Sequence, residues 1–463
     1  MNAAESGRKV LFRVRPSIPN PVFSRPYVAA CRRKMSMKFN KSSQLLLVSA
    51  ASLLAASLVT ACATLTVDFV FVTSSRAAGP NNYGEINVME VDSESGHLRQ
   101  IPTSPFPSGG RNPVAEAVST DQSTLYVVNH DDNSIVQFAI GNDGKVYPQN
   151  TVNTPAVFPM AVAVSGSNLF VVDTYQPLPT CSPANPCSGA VAVLPIGTAD
   201  ALGAPVSNND LAYWPLTLPS SSDVMLPTAI NVVTSKSGTS VNTYVYVTAF
   251  DWTASGSANP AGTTSICTQP PSIYSGPLGY IFGFSVGSGG VLTPLNGGAP
   301  FAAGTLPCAI ASAPSGNYVY VTDSTNGNVR AYSAASGLLT PLSSGPFPAG
   351  NQPSAITVDP SGNYAFVANA LDSTISAYSV SSGALTGIGT YATDVQPVAI
   401  MVDPSTSHFV YAANFLGATV SGYQLETGTS PASLLATQNT PYKVSAQPTA
   451  MVAITHGGTT AKQ

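Results

Sequence analysis

A short phrase occurs seven times in this chain: a proline, then a small or apolar residue, then the start of an alternating strand pattern. Two well-preserved copies read QPSAITVDPSGNYAFVAN from Gln352 and LPCAIASAPSGNYVYVTD from Leu306. The prolines are separated by 46, 68, 80, 46, 44 and 51 residues, at Pro113, Pro159, Pro227, Pro307, Pro353, Pro397 and Pro448. A period of this length made of short strands is typical of a β-propeller. The sequence therefore predicts an all-β fold with seven four-stranded blades.

The two ends of the repeat region are incomplete in complementary ways. The last phrase, QPTAMVAIT from Gln447, has no second strand after it, whereas FVFVTS from Phe69 and INVMEV from Ile86 lack a first strand. Pairing these ends would complete one blade and remove the free sheet edges of an open ring. We therefore expect a seven-bladed β-propeller closed by N- and C-terminal strands in one blade, spanning residues 69–456.

The N-terminal segment has the pattern of a secretory signal. An apolar run, Leu45–Ala61, follows two lysines and ends at Val59-Thr60-Ala61-Cys62, which resembles a bacterial lipobox. We expect residues 1–61 to be a leader with a lipoprotein-type signal peptide, Cys62 to be the lipidated residue, and residues 62–68 to be a short tether. An ordinary signal peptide or a membrane anchor is the alternative. Residues 457–463 are expected to be a disordered tail.

Charge limits the partners of the exported part. Removing residues 1–61 leaves 8 Lys and Arg against 21 Asp and Glu, a net charge of −13. Such a surface repels nucleic acid and anionic lipid. We expect a monomer in the bacterial cell envelope or secreted, attached to a membrane only through a lipid anchor, with a small-molecule or glycan ligand and no cofactor.

Four of the six cysteines follow Cys62. An even number in an exported domain favours disulfides. Cys181 and Cys187 flank a short SPANP loop, while Cys267 lies in a long insertion and Cys308 near the start of the next inner strand. The expected bridges are Cys181–Cys187 and Cys267–Cys308, although three connectivities are formally open.

An Asn or Asp ends the second strand in five repeats. Such side chains accept hydrogen bonds from loop amides, and in a propeller they would surround the mouth of the central channel. They are therefore predicted either to form turns or to bind substrate, at Asn129, Asp173, Asp323, Asn369 and Asn414.

One repeat carries a carboxylate where the other six have an aliphatic side chain. Glu116 in NPVAEAV replaces residues such as Val162 and Ile230. A buried carboxylate needs a partner or a function, so Glu116 is a candidate catalytic acid or base, unless it lies at a wet rim or pairs with Arg111.

Charged groups gather in the same part of the repeat. His130 and Asp131 follow the second strand of the Glu116 repeat, Arg111 precedes its first strand, and Arg76 lies in the neighbouring repeat. We predict that His130 or Glu116 activates water and that Arg76, Arg111 and Asp131 bind substrate.

The repeat PSAITVDPSGNYAFVANALDSTISAYSV and the connecting segment GLLTPLSSGPF resemble the seven-bladed propeller lactonase family, which includes 6-phosphogluconolactonases. YncE-like propellers share this blade signature. The resemblance spans Phe69 to Thr455 and implies a propeller that hydrolyses lactones. Asp173 matches the family's aspartate after a second strand, while Met160 and Val162 stand where family members carry a histidine pair.

Two functions therefore remain open from the sequence. The first is a hydrolase of lactones or sugar-derived substrates on the face of the ring that carries these loops. The second is a non-catalytic propeller that binds a glycan, a peptide or an envelope partner through the same face.

Overall fold

The computed structural model describes residues 65–75, 82–182, 185–237, 240–255, 267 and 279–456. Seven antiparallel sheets form a ring of blades, as predicted. The propeller lies within the compact unit Thr64–Gln463.

We name the blade that joins the two chain ends the closing blade. From the channel outward it contains β32 (Gln447–Thr455), β1 (Thr66–Ser75), β2 (Tyr83–Asp92) and β3 (Leu98–Gln100), and β4 (Phe106–Arg111) also pairs with β2. Asp68 is opposite Thr455 in the antiparallel register of β1 and β32. The predicted closure by terminal strands is therefore confirmed.

The other six blades follow in chain order and use consecutive strands, with the inner strand first. Blade 1 contains β5 (Pro113–Val118), β6 (Thr124–Asn129), β7 (Ser134–Ile140) and β8 (Val146–Asn153); blade 2 contains β9 (Val157–Ser165), β10 (Asn168–Tyr175), β11 (Ala190–Pro195) and β12 (Trp214–Pro215). Blade 3 contains β13 (Met225–Ser237), β14 (Ser240–Asp251), β15 (Gly279–Val286), β16 (Leu292–Pro294) and β17 (Phe301–Gly304).

Blade 4 contains β18 (Pro307–Ser312), β19 (Tyr318–Asp323), β20 (Asn328–Ser333), β21 (Thr340–Pro341) and β22 (Phe347–Pro348). Blade 5 contains β23 (Pro353–Val358), β24 (Tyr364–Asn369), β25 (Thr374–Ser381) and β26 (Ala384–Ala392). Blade 6 contains β27 (Pro397–Val402), β28 (Phe409–Asn414), β29 (Thr419–Glu426), β30 (Ser433–Ala436) and β31 (Tyr442–Lys443). Helical structure in the described chain consists of single turns, at His130–Asp132, Thr198–Asp200, Trp252–Ser255, Ser288–Gly290, Asn296–Gly298 and Ala335–Gly337.

The hydrophobic core lies between blades, because each sheet alternates its side chains toward its two neighbours. Between blades 2 and 3, for example, Phe170 and Val172 pack against Val245 and Phe282, and a similar cluster fills each of the other six borders. Burial between sheets provides most of the stabilisation in such a fold.

Hydrogen bonds repeat at the same borders. In three blades the buried second-strand tyrosine donates its hydroxyl to a carbonyl in the following blade, over 2.8 to 2.9 Å, from Tyr126, Tyr246 and Tyr411. Hydroxyl side chains that follow the repeat proline bind the next blade's proline carbonyl over 2.6 to 2.7 Å, from Thr228, Ser354 and Thr449. The repeated sequence phrase therefore supplies contacts between blades as well as the strands.

Both expected disulfides are present. Cys181 is bonded to Cys187, and Cys267 is bonded to Cys308. The second bridge lies in an apolar cluster with Tyr175, where the insertion after blade 3's second strand meets the start of blade 4. Among the described residues, no helix is long and apolar enough to cross a membrane.

Candidate functional site

The candidate site lies where blades 1 and 2 meet on one face of the ring. We define the upper face as the face that carries the turns between second and third strands, such as 130–133, and the connections into inner strands, such as 154–156. Strand β6 ends at Asn129, and a single helical turn follows, closed by Asn133 in the left-handed region at φ 50°. The His130 amide donates to the Asn112 carbonyl over 3.0 Å, which fixes the turn against the start of β5.

His130 and Asp131 form an oriented pair within this turn. His130 Nδ1 lies 2.7 Å from Asp131 Oδ1, and Asn112 Nδ2 donates to the same oxygen over 3.2 Å. The hydrogen bond from His130 lowers the pKa of Asp131 below its usual value, with a further contribution from Asn112. Because an ionised carboxylate only accepts hydrogen bonds, Nδ1 carries the proton and Nε2 is left as the basic nitrogen.

Arg111 lies beside this pair and is held by the same turn. Its Nε donates to Asp132 Oδ1 over 2.6 Å, and its Nη2 donates to the Asp131 carbonyl over 3.0 Å. The Asp132 carboxylate raises the pKa of Arg111 and neutralises its charge. The side chain is 39% exposed, and Nη1 is the guanidinium nitrogen that makes no hydrogen bond within the described residues.

Blade 2 contributes an aromatic wall to the site. The Phe158 ring stacks on the His130 ring with centroids 4.9 Å apart, and Tyr175 packs edge-on against Phe158 at 6.1 Å. Phe158 has φ 60°, and its amide donates to Asn133 Oδ1 over 2.7 Å. This hydrogen bond holds a left-handed backbone conformation that is unusual for an aromatic residue.

The Asn and Asp side chains that end second strands are fully buried, in the set Asn129, Asp173, Asp323, Asn369 and Asn414. They hold the upper-face connections that enter their own blades. Asp323, for example, accepts the amides of Thr305 and Leu306 over 3.0 and 3.2 Å, and Asn369 accepts the amide of Gly350 over 3.0 Å. Some of their partners lie upstream of the strand end, such as Thr305 and Gly350. Others lie in the turn or third strand that follows, such as Asn326 for Asp323 and Thr419 for Asn414. Their role in binding substrate stays a prediction, and in this structure none of the five side chains is exposed.

Among the five strand-end residues, Asp173 is a carboxyl group with a raised pKa. Burial raises its pKa to about 7, against smaller opposing contributions from the Thr154 hydroxyl and the Ala156 amide. Asp173 lies opposite Pro159 in the register of β10 and β9, below the Phe158 backbone. It is therefore a buried acid that supports the connection into blade 2.

Glu116 does not join the upper-face cluster. It lies opposite Val127, whereas Pro113 lies opposite Asn129, so three residues separate it from the upper end of β5, about 10 Å along a strand. Part of the residue remains accessible, but both carboxylate oxygens are buried. They lie near the Thr73 and Val452 amides of the closing blade, although neither contact has ordinary hydrogen-bond geometry. Burial raises the pKa of Glu116 to about 8, so the group is a neutral acid at pH 7.

Two other predicted residues, Arg76 and Cys62, lie outside the described residues. Within the described part of the chain, no group of three or more His, Cys, Asp or Glu side chains could hold a metal ion.

A family model of the seven-bladed β-propeller lactonases matches residues 69–209 and 280–447, about two thirds of the sequence. The chain belongs to this lactonase family. The gap between the matched segments covers much of blade 3 and its insertion. A search of the curated proteins found no match to the sequence.

Solved structures agree with the family at the level of the fold. The periplasmic gluconolactonase PpgL from Pseudomonas aeruginosa has a TM-score of 0.61 at 19% identity, over 84% of this chain and 99% of its own. A candidate 6-phosphogluconolactonase from Bacteroides uniformis has a TM-score of 0.61 at 17% identity, covering 84% and 100%. A protein from Lactobacillus plantarum has a TM-score of 0.58 at 17% identity, covering 84% and 99%.

Sequence reasoning missed two members of the site in this lactonase-family propeller. Phe158 is the only aromatic among the seven residues that precede the repeat prolines, and this break in the repeat could have revealed it. Asp132 pairs with Arg111, for which the sequence analysis had considered Glu116 as the partner. The structure brings together Arg111, His130 and Asp131 from the predicted set.

Proposed function

We propose that this lactonase-family protein hydrolyses lactones on the upper face of blade 1, with His130 as the general base. The observation that carries the proposal is the His130–Asp131 pair, 2.7 Å apart, beside the fixed guanidinium of Arg111. A histidine oriented by a carboxylate and placed next to a cation is a recurring arrangement for activating water against a carbonyl.

Each group has one role in the proposed reaction. His130 Nε2 takes a proton from water while the oxygen of that water attacks the lactone carbonyl carbon. The Arg111 guanidinium stabilises the oxyanion that forms. When the ring carbon–oxygen bond breaks, the imidazolium returns its proton to the departing alkoxide, and the product is a hydroxy acid. We assign no step to Glu116, because its carboxyl group faces the closing blade.

The protein is proposed to act outside the cytoplasm. Two disulfides in one domain are favoured by an oxidising compartment. A periplasmic protein among the structural neighbours supports the same location. Lipid attachment at Cys62 rests on the lipobox-like sequence.

The test is turnover of a lactone panel by the purified protein and its variants. We expect His130→Gln to lower kcat/KM by about 10²- to 10⁴-fold, as for loss of a general base. His408→Gln is the matched control, because His408 lies in the turn after β27, on the face opposite the site. Retention of full turnover by His130→Gln would show that the base is another group.

A second candidate function rests on the aromatic wall. Phe158 stacked on His130 offers a flat surface of the kind that sugar rings bind, and Asp132 already neutralises Arg111. A folded protein that hydrolyses no lactone but binds oligosaccharides, with binding lost in Phe158→Ala, would favour a non-catalytic glycan-binding propeller.

A further inference from the structure

The closing blade differs from the others because the chain does not run through it in order. Its two inner strands, β32 and β1, come from opposite ends of the propeller and are held by strand pairing and packing. Each of its two borders buries a carboxyl group that the proposed reaction does not use. We call the border with blade 1 the first seam, at Glu116, and the border with blade 6 the second seam, at Asp68 and Asp403.

At the first seam, Glu116 takes the place that an aliphatic side chain such as Ile230 or Ile310 fills between other blades. The backbone amides of Thr73 in β1 and Val452 in β32 lie near its carboxyl group. Burial raises its pKa and the two amides lower it, and no charged side chain among the described residues of either blade contributes. Ionisation would therefore place an uncompensated charge directly against the two strands that close the ring.

At the second seam, Asp68 near the start of β1 is fully buried and faces Asp403 at the end of blade 6's inner strand. Asp403 accepts the Thr406 and Phe409 amides over 2.7 and 2.6 Å. Asp68 accepts the Ser405 hydroxyl through Oδ1, while its Oδ2 is buried without a partner in the described chain. A buried carboxylate oxygen without a donor disfavours ionisation, so we assign the proton of this seam to Asp68.

The groups around the second seam would not neutralise the negative charge that ionisation of Asp68 would place beside Asp403. Burial, and next the neighbouring Asp403, raise the pKa of Asp68 against the opposing Ser405 hydrogen bond. Tyr411 of blade 6 lies within electrostatic range of Asp68 and Asp403, and Asp92 of the closing blade lies within range of Tyr411. Asp68 is paired with Thr455, and His456, which follows it, packs against Phe69.

We propose that protons on Glu116 and on the Asp68–Asp403 pair hold the closing blade in the ring, so that deprotonation opens the propeller at this blade first. This device is independent of the proposed lactone hydrolysis. In the unfolded chain a glutamate loses its proton near pH 4.5, whereas the folded seam keeps it to about pH 8. The stabilisation is therefore complete below pH 4.5 and is lost as the pH rises through 8. Asp173 is another buried acid with a raised pKa, but it supports the connection inside its own blade.

Hydrogen exchange of the full protein, measured by mass spectrometry at pH 6 and pH 9 and corrected for intrinsic rates, tests the proposal. We expect protection of β1 and β32 to fall at least tenfold more than protection of β23 and β24 in blade 5. Glu116→Gln should remove part of this difference, because an amide does not ionise, and Asp68→Asn should remove a further part.

Glu116→Met repeats the test with the side chain that the closing blade itself carries at Met451, in case the glutamine variant does not fold. Equal loss of protection in all blades would overturn the proposal. The proposal would also be overturned if a folded Glu116 or Asp68 variant lost protection in the closing blade between pH 6 and pH 9 to the same extent as the unchanged protein.

Discussion

Replacing Asp323 with alanine should be among the most damaging single changes outside the hydrophobic cores. Asp323 is fully buried at the end of β19. Its carboxylate accepts the amides of Thr305 and Leu306 and the side-chain amide of Asn326, the last over 2.8 Å. These bonds hold the connection between blades 3 and 4.

The magnitude follows from the groups left without partners. Each buried donor that loses its acceptor costs about 1–3 kcal/mol. Two backbone amides and one side-chain donor are involved, and some would relax toward solvent, so we expect Asp323→Ala to lower the free energy of unfolding by about 3–5 kcal/mol. Asp323→Asn keeps one accepting oxygen, as in Asn369 and Asn414 of the next two blades, and should cost about 1 kcal/mol.

The assay is urea unfolding followed by far-UV circular dichroism, with Asp143→Ala as the control. Asp143 is an exposed acid whose partner is Lys145, so its removal should change stability by less than about 0.5 kcal/mol. A loss below about 1 kcal/mol in Asp323→Ala, or equal losses in the alanine and asparagine variants, would refute the reasoning. A change in ligand affinity without loss of stability would instead assign the ring residues to binding.

Three further changes test other parts of the fold. Tyr246→Phe should cost about 1 kcal/mol in urea unfolding, because it leaves the buried Gly337 carbonyl without its 2.9 Å hydrogen bond. Gly304→Ala should lower the melting temperature much more than Gly289→Ala, although both glycines have positive φ. A Cβ at Gly304 would lie 2.1 Å from Asp323 Oδ2, whereas a Cβ at Gly289 would meet open space. Equal melting temperatures of the two variants would contradict this reasoning. Replacing both Cys267 and Cys308 with serine should lower the free energy of unfolding by about 4 kcal/mol, and replacing both Cys181 and Cys187 by about 2 kcal/mol, because the bridges span 41 and 6 residues. The reverse order in denaturant titrations would show that loop entropy does not decide the effect.

The architecture was readable from the sequence because each blade repeats the same local signals. Proline phrases, turn residues and alternation of period two recur at each blade, and each depends only on neighbours in the chain. The number of blades and the pairing of QPTAMVAIT with FVFVTS followed from these signals. The even number of cysteines left three connectivities open, and the positions of the cysteines in the repeat favoured the two bridges that the structure contains.

The direction of individual side chains depended on the tertiary structure. The sequence placed Glu116 and His130 on adjacent strands of one blade, but the two side chains face different neighbours, because Glu116 packs toward the closing blade while His130 stacks on Phe158 of blade 2. Likewise, Asp323 turns inward because a connection some 18 residues upstream supplies its donors. Blade borders and long connections bring together residues from distant parts of the chain, so the burial and charge state of these groups are properties of the closed ring.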